Sequence, residues 1–150
     1  MPLKDYLNAK KIIQTNDSGD FEGQKDQNLI QTAENALGLV FPPTYKSFLL
    51  DFGCGEINGH EIYGIISDKF ENSSVPNGIW LTLDERKTSK LPSNLIIISQ
   101  GYDGYLAIDV SQKNTENENP IIEWIPGNPN NSLTPIFNDF GVYFLDCVEM

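Results

Sequence analysis

The chain contains few residues of the types that carry out catalysis or bind metal ions. It has a single histidine, His60, and two cysteines, Cys54 and Cys147. A cysteine nucleophile with a histidine base would have to combine Cys54 with His60, and the sequence shows no third group to orient the base. One histidine with two scattered cysteines supplies too few ligands for a site built on these residues. We therefore expect no catalytic residues, no metal and no cofactor.

Glycines at positions 53, 55 and 59 raise the question of a phosphate-binding loop. Residues 45–52 before them place aromatic and leucine side chains at helical spacing, and residues 60–66 after them are short and apolar like a strand. A phosphate loop needs the opposite order, in which a strand and the glycines lead into a helix N-terminus. The glycines therefore indicate the end of a helix and a tight turn into a strand.

Carboxylate pairs can act as general acid and base, and the candidates are Glu56 with Glu61 and Asp103 with Asp109. The chain, however, has 21 acidic residues against 10 basic ones, so composition alone accounts for such pairs. Its net charge of −11 and its pI near 4.3 suit either a soluble acidic protein or one that attracts a basic partner. The same charge disfavours direct binding to nucleic acid or to anionic membranes.

Aromatic side chains fall in or beside the predicted strands at Trp80, Tyr102, Tyr105 and Trp124. If they are exposed among acidic residues, they suit a protein interface. If they are buried, they only pack the core. Both interpretations stay open, and Tyr102 and Trp124 are the interface candidates because tyrosine and tryptophan are enriched in binding hot spots.

The cysteines and the apolar segments bear on localisation. A bridge between Cys54 and Cys147 is possible, but free thiols in a reducing cytosol are the favoured interpretation. The N-terminal segment lacks the uninterrupted apolar region and the cleavage site of a secretory signal. The longest apolar run, residues 95–98, is too short to span a bilayer. We expect a cytoplasmic protein.

The elements that position these residues follow from hydrophobic periodicity. Asp26 is predicted to cap the start of a helix, and Gly38 to end it. The Asp-Gly pair at residues 103–104 predicts a hairpin. Residues 79–83 fit either a strand or a helix. The predicted helices are residues 3–13, 28–37, 45–52 and 132–148. The predicted strands are residues 61–66, 95–99, 105–110 and 121–125. This order predicts an α+β fold, in which a mostly antiparallel sheet of about five or six strands is covered by helices on one side, in a single domain spanning residues 1–150.

A series of spaced motifs resembles the SUKH family, which includes the yeast Smi and Knr cell-wall regulators and many bacterial immunity proteins. The chain departs from the family pattern at Phe41-Pro42, where a leucine usually precedes the proline, and this change preserves an apolar packing residue. Glu34 of the motif is expected to satisfy nearby backbone donors. The matching segments are Ile30-Gln31-Thr32-Ala33-Glu34, Leu37-Gly38, Pro42-Pro43-Thr44-Tyr45-Lys46-Ser47-Phe48-Leu49, Gly53-Cys54-Gly55 and Glu61-Ile62-Tyr63-Gly64.

The resemblance implies a protein that binds another protein and is not an enzyme. Bacterial relatives are immunity proteins that neutralise the toxic C-terminal domain of a secreted polymorphic toxin, often a basic nuclease, and an acidic protein would bind such a partner quickly. The alternatives are a regulatory scaffold of the Smi and Knr type, a small enzyme using Cys54 and His60, and a dimeric structural module. We expect a monomer or a weak dimer. The expected partner contacts, chosen for charge and expected exposure, are Glu56, Glu61, Tyr102, Asp103, Glu123 and Trp124.

Overall fold

A computed structural model describes residues 1–149 of the chain. Within these residues the chain forms five helices and one sheet of six strands, which confirms the predicted α+β class. The helices are α1 (Pro2–Asn16), α2 (Gln27–Leu37), α3 (Pro43–Phe52), α4 (Gly78–Thr88) and α5 (Phe140–Glu149). The strands are β1 (Asp20–Phe21), β2 (Gly55–Ile57), β3 (His60–Ile62), β4 (Leu95–Gln100), β5 (Tyr105–Asp109) and β6 (Ile121–Trp124).

The strands lie side by side in chain order, and each pairs antiparallel with the next. Residues 101–104 form the turn of the β4–β5 hairpin, as the Asp-Gly pair predicts, and the Gly101 N–H donates to the Gly104 carbonyl at 2.7 Å. The register shifts between Ile97 and Ser99, which is a β-bulge just before this turn. The predicted antiparallel sheet is therefore confirmed.

Local signals correctly placed the ends of α2 and α3. The Asp26 side chain accepts a hydrogen bond from the Leu29 N–H at 2.8 Å, and Gly38 ends α2 in the left-handed conformation. Gly53 follows α3 with a φ of 76°, and a Cβ there would lie 2.9 Å from the Gly23 carbonyl oxygen, so this turn requires glycine. Gly55, in contrast, belongs to β2, and the turn into β3 is made by residues 58–59.

One face of the sheet, which we call the apolar face, packs against α1, α2, α3 and α5. Phe48 of α3 lies fully buried in this core, with ring centroids of Phe140 and Phe144 at 5.3 and 5.2 Å. Ile57 and Ile62 contribute the core-facing side chains of β2 and β3. Most of the buried aromatic area of the chain therefore lies on one side of the sheet.

Helix α4 packs on the opposite face, which we call the second face. Leu81 of α4 lies in a separate apolar cluster with Ile97 of β4 and Ile122 of β6. The expectation that helices cover only one side of the sheet is therefore wrong. The ambiguous residues 79–83 belong to α4, which begins where the Asn77 side chain accepts hydrogen bonds from the Ile79 and Trp80 N–H groups at 3.1 and 3.0 Å.

Two further elements differ from the predictions. Strand β1 lies between the first two predicted helices, where the sequence predicted no strand, and the Phe21 ring packs 4.7 Å from the ring of Phe52. Helix α5 begins at Phe140 and not at Ser132, because residues 136–137 pair with Ile121 at the open edge of β6. The Asp139 side chain accepts a hydrogen bond from the Val142 N–H at 2.9 Å and so caps the N-terminus of α5.

Candidate partner-binding face

Three acidic side chains lie directly opposite one another on β1, β2 and β3. Asp20 pairs with Glu56, and Glu56 pairs with Glu61. Cross-strand partners in an antiparallel sheet have their side chains on the same face. Because the neighbouring residues Ile57 and Ile62 point into the apolar face, the acids project from the second face, where all three are exposed. We call Asp20, Glu56 and Glu61 the acidic row.

The strand register continues this row across the rest of the sheet. Ile62 pairs with Ser99, which places Glu61 opposite Gln100 in an antiparallel ladder. Gln100 in turn pairs with Tyr105, and Tyr105 pairs with Trp124. The second face therefore changes from exposed carboxylates at one end to aromatic side chains at the other.

Like charges directly opposite each other destabilise a sheet, so the acidic row needs an explanation. Among the described residues, the carboxylates that form ion pairs are Asp5, Glu22, Glu34 and Asp51, and none of these belongs to the row. Glu56 has a local partner, since its Oε1 accepts a hydrogen bond from the Gly59 N–H at 2.9 Å. The fold thus presents three exposed carboxylates side by side on this part of the sheet.

The turn at residues 101–104 lies next to this row and presents Tyr102, whose side chain is 97% exposed. Glu123 supports the turn from β6, because its Oε2 accepts hydrogen bonds from the Asp103 N–H at 2.7 Å and the Gly104 N–H at 3.1 Å. Gln100, which lies opposite Glu61, leads into the same turn, so the Cα of Tyr102 lies within about 7 Å of the Cα of Gln100. Asp103 is exposed beside it.

The structure separates the sequence-predicted contacts into three groups. Glu56 and Glu61 share the acidic row, and Tyr102 and Asp103 share the adjacent turn. Glu123 is half-buried and holds that turn. Trp124 is only 5% exposed and packs in the apolar cluster that contains Leu81 of α4, so the prediction that it is exposed is wrong.

Sequence reasoning missed Asp20 and Gln100 as members of this face. Asp20 lies in a strand of only two residues, which is too short for a periodic signal. Gln100 is an ordinary polar residue at a strand end, and only the register shows that it lies between Glu61 and Tyr105. The Asp-Gly hairpin signal could have located Gln100 near the turn, but not its partner on β3.

The surroundings of the cysteines do not favour catalysis. Cys54 and Cys147 are both buried free thiols. Burial raises the pKa of Cys54 to about 11, and the carboxylates of Glu22 and Glu61 add to this effect while Lys25 opposes it. Burial likewise raises the pKa of Cys147 to about 11. Both thiols therefore stay protonated near neutral pH, whereas a nucleophilic cysteine needs its thiolate form.

Residues 1–149 also bear on metal and membrane binding. Within this range, no group of three or more histidine, cysteine, aspartate or glutamate side chains is arranged to hold a metal ion. Among the same residues, no helix has the length and apolar character needed to cross a membrane.

Buried carboxylates elsewhere have clear structural partners. Glu118, in the β5–β6 connection, accepts hydrogen bonds from the Thr44 N–H at 2.9 Å and the Thr44 hydroxyl at 2.8 Å in the first turn of α3. Glu34 accepts one from the Phe41 N–H at 2.8 Å, which confirms that it satisfies a backbone donor. Asp109 accepts hydrogen bonds from the side chains of Asn94 and Ser111. The buried carboxylates thus hold loops in place, unlike those of the acidic row.

Comparison with known proteins identifies the family. A family model, SUKH_6, described as SMI1-KNR4 cell-wall, matches residues 27–144. Among curated proteins, no sequence matches the chain. The matched range runs from α2 into α5 and includes Glu56, Glu61 and the 101–104 turn, while α1 and β1 precede it. Because the match covers well over half of the chain, the protein belongs to the SUKH, or SMI1-KNR4, family.

Proposed function

We propose that this protein is an immunity protein, which binds and neutralises the toxic C-terminal domain of a cognate polymorphic secreted toxin in the cytoplasm. Membership of the SUKH family supports this, because the family is generally associated with immunity proteins and is not a known enzyme family. The buried, protonated cysteines agree with a binding role.

The acidic row is the observation that carries the proposal. Asp20, Glu56 and Glu61 place three negative charges over a span of about 10 Å, since neighbouring strands are about 4.8 Å apart. The groove of a nuclease that binds nucleic acid is lined with lysine and arginine for the phosphate backbone. A row of carboxylates is complementary to such a groove and would exclude the substrate from it. The net charge of −11 adds long-range attraction to a basic partner.

Calorimetry tests the proposal directly. The probe is the C-terminal domain of the toxin-like protein encoded next to this one, inactivated in its active site so that it can be produced. We expect a dissociation constant of about 10 nM or lower that rises steeply between low and high salt. Absence of binding at micromolar concentration would refute the pairing. Tight binding that is indifferent to salt would retain the immunity role and reject the acidic row as its basis.

A regulatory scaffold of the Smi and Knr type is the second candidate, and the description of the matching family model, SMI1-KNR4 cell-wall, favours it. Such a scaffold would bind a cellular partner and leave a toxin active. Expression of the active toxin domain in a bacterium, with and without this protein, separates the two functions. Rescue of growth supports the immunity role, and continued killing despite confirmed expression supports the scaffold.

A further inference from the structure

We propose that Tyr102 is the anchor of the partner site, and that its ring receives a lysine or arginine side chain from the basic face of the bound protein. This inference rests on the proposed function and adds the contact that holds the partner after electrostatic attraction has brought it in. A single exposed apolar residue is common on protein surfaces and proves nothing by itself. Tyr102 differs from such a residue in the turn that presents its side chain and in the charge around it.

Four hydrogen bonds hold the backbone of the turn that carries Tyr102. Glu123 Oε2 accepts from the N–H groups of Asp103 and Gly104, and the Gly104 carbonyl accepts from the Gly101 N–H at 2.7 Å and from Gln100 Nε2 at 3.1 Å. A carboxylate that accepts two backbone N–H groups forms charge-assisted bonds, which are stronger than neutral ones. The backbone under Tyr102 is therefore tied to both β4 and β6.

The two glycines of the turn show how closely it is packed. A Cβ on Gly101 would collide with the Glu123 carboxylate, and a Cβ on Gly104 would collide with the Trp124 carbonyl oxygen. Close approach to the backbone thus requires glycine at position 104, while a side chain at position 101 would displace the Glu123 carboxylate that holds the turn. Between them, Tyr102 extends into solvent with 97% of its side chain exposed. An aromatic ring on a rigid turn loses little conformational entropy on binding, which is how tyrosine contributes to preorganised interfaces.

The position and charge of the turn select the occupant. The acidic row and Gln100 span about 14 Å across four strands. The Cα of Tyr102 lies within about 7 Å of the Cα of Gln100, because only one residue separates them. The row and Tyr102 both fit within the roughly 800 Å² that each partner contributes to a standard interface. The face of an aromatic ring attracts lysine and arginine, and Asp103 beside the ring adds negative charge. The row and the ring thus select the same partner chemistry, a basic protein surface.

The test measures binding of the inactivated toxin domain described above to four variants by surface kinetics. We expect Tyr102→Ala and Tyr102→Leu to weaken binding about 30-fold, mainly through faster dissociation, because hot-spot contacts act on the off-rate. Tyr102→Phe keeps the ring face and should remain within about 3-fold of the parent protein. Val40→Ala removes another exposed apolar side chain, in the α2–α3 connection, and should bind like the parent. Circular dichroism checks that each variant is folded.

The outcomes separate this inference from the proposed function. If the parent protein does not bind the toxin domain, both are rejected. If the parent binds tightly while Tyr102→Ala binds equally well, only the role of Tyr102 is overturned. If Tyr102→Leu retains affinity as well as Tyr102→Phe does, the site needs an apolar side chain and the cation-binding ring is overturned. A fifth variant, Glu123→Gln, replaces the charge-assisted hydrogen bonds under the turn with weaker neutral ones and should accelerate dissociation. An unchanged dissociation rate would show that this turn does not preorganise Tyr102.

Discussion

The two faces of the sheet differ most at β2 and β3, where Ile57 and Ile62 are buried on one side while Glu56 and Glu61 are exposed on the other. The apolar face carries the rings of α3 and α5 and a continuous core. The second face is covered by α4 over β4 to β6 and remains open over β1 to β3. The same short strands thus contribute to the core and to an acidic surface at alternating positions.

Stability and partner recognition can thus be served by alternate residues of one strand. A strand of three residues has no spare positions, so each side chain serves one face only. Substitutions on the apolar face should change the free energy of unfolding. Substitutions on the acidic row should change affinity for the partner.

The largest expected effect is on the apolar face. Phe48→Ala removes a fully buried ring whose neighbours include Phe140 and Phe144, and we expect a loss of about 3–5 kcal/mol in the free energy of unfolding. Urea denaturation followed by circular dichroism measures it. Tyr102→Ala is the matched control and should change stability by less than about 0.5 kcal/mol. Equal losses in the free energy of unfolding of both variants would show that the two faces do not divide stability from recognition.

The next effect is on binding. Changing Glu56 and Glu61 together to lysine reverses two charges of the acidic row, and we expect about a 100-fold weaker complex with the toxin domain, mainly through slower association at low salt. Stopped-flow or surface kinetics at two salt concentrations measures this. Lysine substitution of Glu71 and Glu116, which are exposed outside the row, is the control. If the control pair weakens binding as strongly, net charge and not the row determines association.

Buried carboxylates sharpen the comparison further, because Glu118 has the same chemistry as Glu61 but serves the fold. Glu118→Ala leaves the Thr44 N–H and hydroxyl without their acceptor, and we expect a loss of about 1–3 kcal/mol in stability. Urea denaturation near pH 7 measures this loss. The affinity of the folded variant for the toxin domain should stay unchanged. A parallel loss of affinity would contradict the conclusion that Glu118 serves the fold and not partner binding.

The pH dependence of Glu118 gives a second readout with a defined sign. Burial raises the pKa of Glu118 above its ordinary value of 4.5. The part of its contribution to stability that depends on protonation is therefore complete below about pH 4.5 and is lost as the pH rises through the folded pKa, while the hydrogen bonds to Thr44 remain. Relative to Glu118→Gln, the parent protein should become more stable as the pH falls from 7 towards 4.5.

Asp109 is the opposite case. Burial alone would raise its pKa, but hydrogen bonds from Gln112, Ser111 and Asn94 hold the pKa below its ordinary value of 3.8. The stability advantage of the parent protein over Asp109→Asn is therefore present above about pH 3.8 and is lost only below it.

The parts of the fold that the sequence predicted correctly depend on local chemistry. Asp26 caps α2 because its side chain accepts a hydrogen bond from a backbone N–H at the helix start, and Gly38 ends α2 because glycine adopts the left-handed conformation easily. Neither property depends on what the helix packs against. The hairpin at residues 103–104 follows from the Asp-Gly pair in the same way. Such signals need no knowledge of what the element packs against.

The parts that were missed depend on tertiary packing. The apolar side chains of α4 do not follow one stripe, since Ile79 packs in the main core while Leu81 packs in the second cluster, so periodicity could not separate helix from strand. Trp124 is buried because α4 covers that end of the second face, and β1 exists because it pairs with β2. Likewise, charge located Glu56 and Glu61 as candidates, while the row that joins them to Asp20 is visible only in the register.

The smallest predicted effect is the most specific to the acidic row. Glu61→Gln removes one of the mutually repelling charges on β2 and β3, and we expect the free energy of unfolding to rise by a few tenths of a kcal/mol, since like charges directly opposite destabilise a sheet. If the acidic row binds the toxin domain as proposed, the same variant should bind it several-fold more weakly, because one of the attracting charges is removed. Urea denaturation at low salt measures the first change and calorimetry the second. Lys69→Gln, which removes an exposed charge outside the row, is the control and should leave both quantities nearly unchanged. A carboxylate that lowers stability and raises affinity is committed to recognition, so a variant that lost stability instead would show that Glu61 serves the fold, as Glu118 does.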